Sequence, residues 1–236
     1  MGNVKNQRGF TFAELSISLI IIGLLIVMVL AASSIIRSAK IRSVITDITN
    51  YQSAFDLFVT KYGAMPGDIS DITSSLSTAT YPALANGNGD NQITWSNGEG
   101  AQAWYHMMAA GMLPGSYTGT VNGTQDAVVG TNIPGSKISS AGYAIDYDAT
   151  ATGTSNHLHF AGQSAAGTGI NNAVILSPTD AQNIDSKVDD GIPNSGRVQD
   201  PTLNTPCSTG ANTNAYNLAG GDTASCRLNI QLDSGS

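Results

Sequence analysis

Charged residues are scarce in this chain. Of its 236 residues, 11% are Asp, Glu, Lys or Arg, and the formal net charge at pH 7 is −7. A protein that binds nucleic acid by neutralising phosphates needs a basic surface. The acidic balance therefore argues against a nucleic-acid partner.

Sequence signatures of enzymes are also missing. The chain has no Gly-x-Ser-x-Gly elbow, no phosphate-binding loop and no paired-Cys zinc spacing. Histidine occurs three times. His157 and His159 alternate with apolar residues on a predicted strand, where they could share a metal ion, but nothing in the sequence brings His106 near as a third ligand. We interpret the pair as exposed strand histidines and predict that the protein is not an enzyme and has no catalytic residues.

Proline is absent between Phe10 and Ala64. An uncharged run over about residues 15–36 is long enough to cross a bilayer as a helix. Beyond it an apolar stripe recurs at helical spacing, and Gly63 and Pro66 supply a stop signal. The stripe comprises Ile41, Val44, Ile48, Tyr51, Phe55, Phe58 and Tyr62. The sequence thus predicts one long helix over residues 10–62, whose second half packs on a domain.

The residues before this run carry the most specific motif. The chain reads Gln7-Arg8-Gly9-Phe10-Thr11-Phe12-Ala13-Glu14. A lone carboxylate at the start of an apolar run costs a few kcal/mol in a membrane, so Glu14 is expected to have a partner. The basic leader, the Gly-Phe junction and the glutamate resemble the N-terminus of type IV pilins and type II secretion pseudopilins.

This resemblance implies a processing reaction and an assembly contact. A prepilin peptidase would remove residues 1–9 by cutting between Gly9 and Phe10, and would methylate the new amine of Phe10. In a helical filament that amine would lie against Glu14 of a neighbouring subunit. Two alternatives are a secretory signal cut near Ala31-Ala32-Ser33-Ser34 and an uncut single-pass anchor. Neither explains Glu14 or the helical pattern beyond the apolar run.

The resemblance also implies a fold, a location and partners. The fold would be α+β: a long N-terminal helix packed on a small antiparallel sheet with short extra helices, the head being residues 63–236. The precursor would sit in the inner membrane with its head in the periplasm and join copies of itself and other pilin-like subunits in a pilus or pseudopilus. The size of the head favours a pilin, whereas the absence of a kinking proline favours a pseudopilin. The rival hypothesis is a monomeric membrane-anchored binding protein that displays the head.

The two cysteines, Cys207 and Cys226, lie near the C-terminus. An even number of cysteines in an exported domain favours a disulfide, here worth about 3 kcal/mol on the chain-entropy model. Pilins with larger heads often carry such a C-terminal disulfide loop.

Local patterns predict the elements of the head. Residues 68–98 have the composition of a polar surface loop, and a capping box over residues 96–99 precedes a short helix, residues 101–110. Serine, proline and acid at residues 177–180 open another helix. Alternating or apolar runs predict strands at residues 143–148, 157–160, 173–176 and 226–232.

One loop has the spacing of a calcium site. Asn86, Asn88 and Asp90 occupy positions 1, 3 and 5, and Gln92 follows with a backbone carbonyl, before the apolar Ile93. Two positions depart from the motif. Asn91 replaces the usual glycine, and Asn97 replaces the closing glutamate, although Glu99 lies near. The sequence leaves two interpretations open, a weak calcium site and a plain Asn/Gly/Asp turn.

Overall fold

A computed structural model describes residues 9–121, 126–150, 153–164, 167, 169–201, 206–209 and 215–232. The described residues form three α-helices and four β-strands. The helices are α1 (Phe12–Tyr62), α2 (Glu99–Ala109) and α3 (Pro178–Val188). The strands are β1 (Ala141–Thr150), β2 (Gly153–Gly162), β3 (Val198–Gln199) and β4 (Leu228–Gln231). The chain divides into two compact units, Met1–Lys40 and Ile41–Ser236.

Helix α1 runs for 51 residues and ends where the sequence predicts. Gly63 follows it with φ 71°, the left-handed conformation that glycine adopts without strain, and its N–H donates to the carbonyl of Val59 at 2.8 Å. The predicted apolar stripe is confirmed in the second unit, where it joins the core of the head. Its fully or largely buried members are Ile41, Val44, Ile48, Phe55 and Phe58.

The strands form one antiparallel sheet in the order β1-β2-β4-β3. Because side chains alternate along each strand, the register assigns them to two faces. The first face is apolar and packs on α1: the Tyr51 ring stands edge-on to Tyr143, with ring centroids 5.0 Å apart, and the Tyr143 hydroxyl donates to Asp47 at 3.2 Å. Other apolar side chains on this face include Ile145, Leu158, Phe160, Val198, Leu228 and Ile230.

Helices α2 and α3 follow the sequence in position, but the capping box predicted for α2 is wrong. The N-cap of α2 is Gly98, at φ 95°, instead of Ser96. The Glu99 side chain is drawn to other backbone N–H groups, described below. For α3 the prediction is confirmed, because the Ser177 hydroxyl accepts a hydrogen bond from the Asp180 N–H at 3.2 Å and Pro178 is the first helical residue.

Two other local predictions are corrected by tertiary structure. Residues 173–176 do not form a strand. Ala173 makes a single bridge to Gly162 at the end of β2, and Leu176 makes another to Cys226, which precedes β4. Residues 68–98 are more than a polar surface loop, because they send apolar side chains into the core. These side chains are Ile69, Ile72, Leu84, Ile93 and Trp95.

Candidate functional site

The N-terminal segment begins helix α1 with a reciprocal cap. The Thr11 N–H and the Thr11 hydroxyl both donate to Oε2 of Glu14, at 2.8 and 2.9 Å. In return the Glu14 N–H donates to the Thr11 hydroxyl oxygen at 3.2 Å. This Thr-x-x-Glu pair satisfies N–H groups that a helix start otherwise leaves without partners. The Thr-x-x-Glu spacing can be seen in the sequence, but the sequence analysis assigned Glu14 only a contact with a neighbouring subunit and missed its role as a helix cap.

The geometry leaves half of the Glu14 carboxylate accessible. Both bonds from Thr11 end on Oε2, and no donor among the described residues reaches Oε1. Phe10 and Phe12 are 83% and 88% exposed. A carboxylate held at a helix start, with one oxygen turned to its own cap, can accept a second donor from another molecule.

The residues that follow have no polar face. Helix α1 contains the one stretch among the described residues that is long and apolar enough to cross a membrane. Its apolar side chains are exposed all around the helix, including Ile17, Ile20, Leu24 and Val27. Such a surface needs lipid or other apolar helices around it.

A second cluster of functional interest lies in the head, where Asp68 organises the loop predicted to bind calcium. Its Oδ1 accepts the N–H groups of Gly89 and Asp90, at 2.8 and 3.1 Å, and its Oδ2 accepts the N–H of Asn91 at 2.9 Å. Glu99 acts similarly, since Oε1 accepts from the Asn88 N–H at 3.1 Å. Its Oε2 accepts from the Thr94 N–H at 3.0 Å. Two buried carboxylates thus hold the loop from both sides.

The predicted calcium residues are only partly brought together. Carboxylate oxygens of Asp68, Asp90 and Glu99 lie within 4.8 Å of one another. Asn88 is bonded to Asp90 through both its side-chain nitrogen and its side-chain oxygen. Asn86 instead accepts the Thr73 N–H at 3.2 Å. The hard oxygen atoms suit a divalent cation, but the carboxylates already accept backbone N–H groups, so calcium binding stays a prediction.

Gln92 and Asn91 complete that loop. The Gln92 N–H donates to Asp90 at 2.9 Å, and Asn91 adopts φ 63°, as expected of the residue that stands where the motif has glycine. Close packing fixes the neighbouring glycines. A Cβ on Gly87 would lie 2.3 Å from the carbonyl oxygen of Gly67, and one on Gly67 would lie 2.3 Å from the carbonyl oxygen of Glu99.

His106 lies beside the cluster of Asp68 and Glu99, and both of its ring nitrogens are bonded to protein groups, so it is not a metal ligand. Its Nδ1 accepts the Gly67 N–H at 2.9 Å, so Nε2 carries the proton and donates to the Ala85 carbonyl at 2.9 Å. The ring stacks on Phe58. Burial lowers the pKa of His106 to about 4, although the bond to Ala85 opposes this. His106 is therefore a neutral imidazole that ties α2 to two loops.

The interpretation of His157 and His159 as exposed strand residues is wrong. Each is only 2% exposed, because the second face of the sheet is covered as well as the first. Their rings stand edge to face with centroids 6.2 Å apart. No group of three potential metal ligands among the described residues contains a histidine.

The predicted disulfide is present between Cys207 and Cys226. The loop that it closes is also tied to α3, because the buried Tyr216 hydroxyl donates to Oδ2 of Asp185 at 2.8 Å. Burial raises the pKa of Asp185 to about 7, with Asp189 and Asp190 adding to the rise while the bond from Tyr216 opposes it. These three carboxylates form a second acidic group.

Comparison with known proteins bears on the N-terminal segment alone. Residues 4–30 match a family model described as the prokaryotic N-terminal methylation motif. This motif is the signature of type IV pilins and pseudopilins, and it confirms the resemblance drawn from Gly9, Phe10 and Glu14. No curated protein and no solved structure matches the chain.

Proposed function

We propose that this chain, which carries the prepilin-type methylation motif, is a structural subunit of a type IV pilus or of a type II secretion pseudopilus. The match over residues 4–30 is the observation that supports this function most strongly. The motif and the long apolar helix fit a pilin-like subunit. The precursor is held in the inner membrane by α1 with its head in the periplasm.

Processing occurs between Gly9 and Phe10 and leaves a methylated amine on Phe10. Gly9 lies in open space, because a Cβ built on it would meet nothing within 4 Å. A larger residue at this position would therefore not disturb the fold of the precursor. A processing defect caused by a Gly9 substitution would therefore reflect poor recognition by the peptidase. A side chain at the cleavage site would obstruct binding of the precursor to that enzyme.

Assembly follows from the chemistry of the exposed N-terminus. The processed amine is cationic, and the Glu14 carboxylate has one oxygen left for a donor from a neighbouring subunit. When helices pack and exclude water, a charge is tolerated if it is paired, and removing one partner costs about 3–5 kcal/mol. The pair thus makes filament assembly depend on processing, since the uncut peptide has no amine at Phe10.

The experiment compares three variants of Glu14 and its cap in the native host. Glu14→Ala removes both the charge and the cap, while Glu14→Gln removes the charge and keeps an oxygen that can accept from Thr11. Thr11→Val weakens the cap and keeps the charge. We expect all three to be exported and cut, and we expect only Thr11→Val to assemble filaments.

The outcomes separate the candidate functions. Mass spectrometry of the mature protein should show N-methyl-Phe10 as its first residue, and Gly9→Leu should leave the precursor uncut. A mature form that starts near Ser33 would identify a cleaved signal peptide instead. Filaments from Glu14→Gln in wild-type amounts would refute the ion pair. An uncut, monomeric protein in the membrane would support the rival function, an anchored binding protein.

A further inference from the structure

Two polar side chains face each other inside the sheet of the head. His159 on β2 is the direct cross-strand partner of Asn229 on β4, so both project from the same face. Their side chains lie opposite the apolar face that packs on α1. They are 2% and 1% exposed. This depth sets them apart from the ordinary polar residues of a half-exposed sheet.

Neither side chain has a hydrogen-bond partner among the described residues. Within the described part of the chain, both ring nitrogens of His159 and both polar atoms of the Asn229 amide are buried without a partner. A neutral imidazole has one donor and one acceptor, and an amide has two donor hydrogens and one acceptor oxygen. The two groups are complementary, yet they do not bond to each other directly.

This arrangement is too costly to persist without a bound molecule. An unsatisfied buried polar group destabilises a protein by about 1–3 kcal/mol, and four atoms are involved here. The whole stability of a domain is about 5–15 kcal/mol. We propose that a buried water molecule bridges the His159 imidazole and the Asn229 amide between strands β2 and β4.

The surroundings select water over an ion. Side chains directly opposite each other have Cβ atoms about 5 Å apart, a span that two hydrogen bonds through one water can cover. Burial, together with the charges of His157 and Arg227, lowers the pKa of His159 to about 3. The imidazole is therefore neutral, and Arg227 nearby disfavours a metal cation. A neutral molecule that both donates and accepts can bond one ring nitrogen of His159 and one polar atom of the Asn229 amide at once. Because the two ring nitrogens point in different directions, the remaining polar atoms need further water.

The chain supplies its own control for the experiment. It contains three histidines, so labelling histidine with ¹⁵N gives three sets of ring signals. His106 is equally buried but has both ring nitrogens bonded to protein groups. We would record long-range ¹H–¹⁵N spectra and water cross-relaxation to the ring N–H protons, using the full chain in detergent micelles at pH 7.

We expect the ring N–H of His159 to show a cross-peak to bound water and that of His106 to show none. In Asn229→Leu the His159 cross-peak should fall several-fold while the His106 signals stay in place, which also reports that the fold is kept. The wild-type spectrum decides the matter if that variant does not fold. No water cross-peak at His159, or a change of its ring signals on adding Zn²⁺, would overturn the proposal.

Discussion

The neutral state of His106 provides the sharpest test of the head. Its Nδ1 accepts the Gly67 N–H and its Nε2 donates to Ala85, so a second ring proton would face a donor. The unfolded chain takes up this proton near the ordinary pKa of 6.5, whereas the folded ring resists it down to about 4. Stability is therefore lost as the pH falls through 6.5, and the loss is complete near the lower value.

The magnitude follows from the two pKa values. Between pH 7 and pH 5 the unfolded chain gains about three quarters of a proton at this site and the folded chain gains less than about a tenth, which destabilises the fold by about 2 kcal/mol. The pH dependence of the stability of the wild type does not by itself reveal the contribution of His106. Burial raises the pKa of Asp146 to about 6 and that of Asp185 to about 7, and these carboxyls stabilise the fold on acidification.

A difference between variants isolates the histidine. His106→Asn keeps an acceptor for Gly67 but does not titrate, so it should be less stable than the wild type at pH 7 by about 1–3 kcal/mol. That deficit should shrink by about 2 kcal/mol at pH 5. The measurement is urea unfolding of a fragment over residues 37–236 at both pH values.

A matched control lies one turn earlier on α2. Gln102 is buried and donates to the carbonyls of Ala83 and Gly119, at 2.8 and 2.6 Å, but it does not titrate. Gln102→Ala should be destabilised by the same amount at both pH values. If the deficit of His106→Asn is equally constant, His106 is not held neutral and the reasoning fails.

Three further predictions concern the head. Protein from the cell envelope should show no free thiol at Cys207 or Cys226, and losing the disulfide should cost about 3 kcal/mol; alkylation without reductant would contradict it. If calcium binds at the loop of residues 86–92, millimolar calcium should raise the melting temperature above that in chelator, and Asp90→Ala should abolish the difference. Equal melting temperatures would show that the loop is a turn that does not bind calcium. Gly67→Ala should destabilise the fragment in urea far more than Gly63→Ala, because both glycines have positive φ but only Gly67 lacks room for a Cβ; equal losses would rule out the clash.

The parts of the fold that the sequence predicts are those governed by contacts along the chain. The course of α1 follows from an apolar period and from the absence of proline, and its end follows from Gly63. The cap of α3 is likewise local, since Ser177 and Asp180 lie within one turn. Alternation was enough to identify β1 and β2, although it gave their bounds too short.

The parts that it does not predict depend on residues far apart in sequence. Glu99 fits a capping box locally, but its carboxylate is recruited by Asn88 and Thr94, and Gly98 takes the cap. The pattern of His157 and His159 predicts a strand, but not that both faces of the sheet are covered. The role of Asp68 could not be predicted without the fold, because the three N–H groups that donate to its carboxylate lie 21–23 residues away in sequence.

The same distinction separates the two functional parts of the chain. The proposed processing site and the Thr11–Glu14 cap span six consecutive residues, so the peptidase and the neighbouring subunit that we propose would recognise them whatever head follows. The core of the head, taken by itself, is built from residues between Ile41 and Leu232 in the described part of the chain. Substitutions at Gly9 or Glu14 should therefore abolish processing or assembly without changing the unfolding of the head, whereas substitutions around His106 should do the reverse. A Glu14 variant that lowered the stability of the head would contradict this separation.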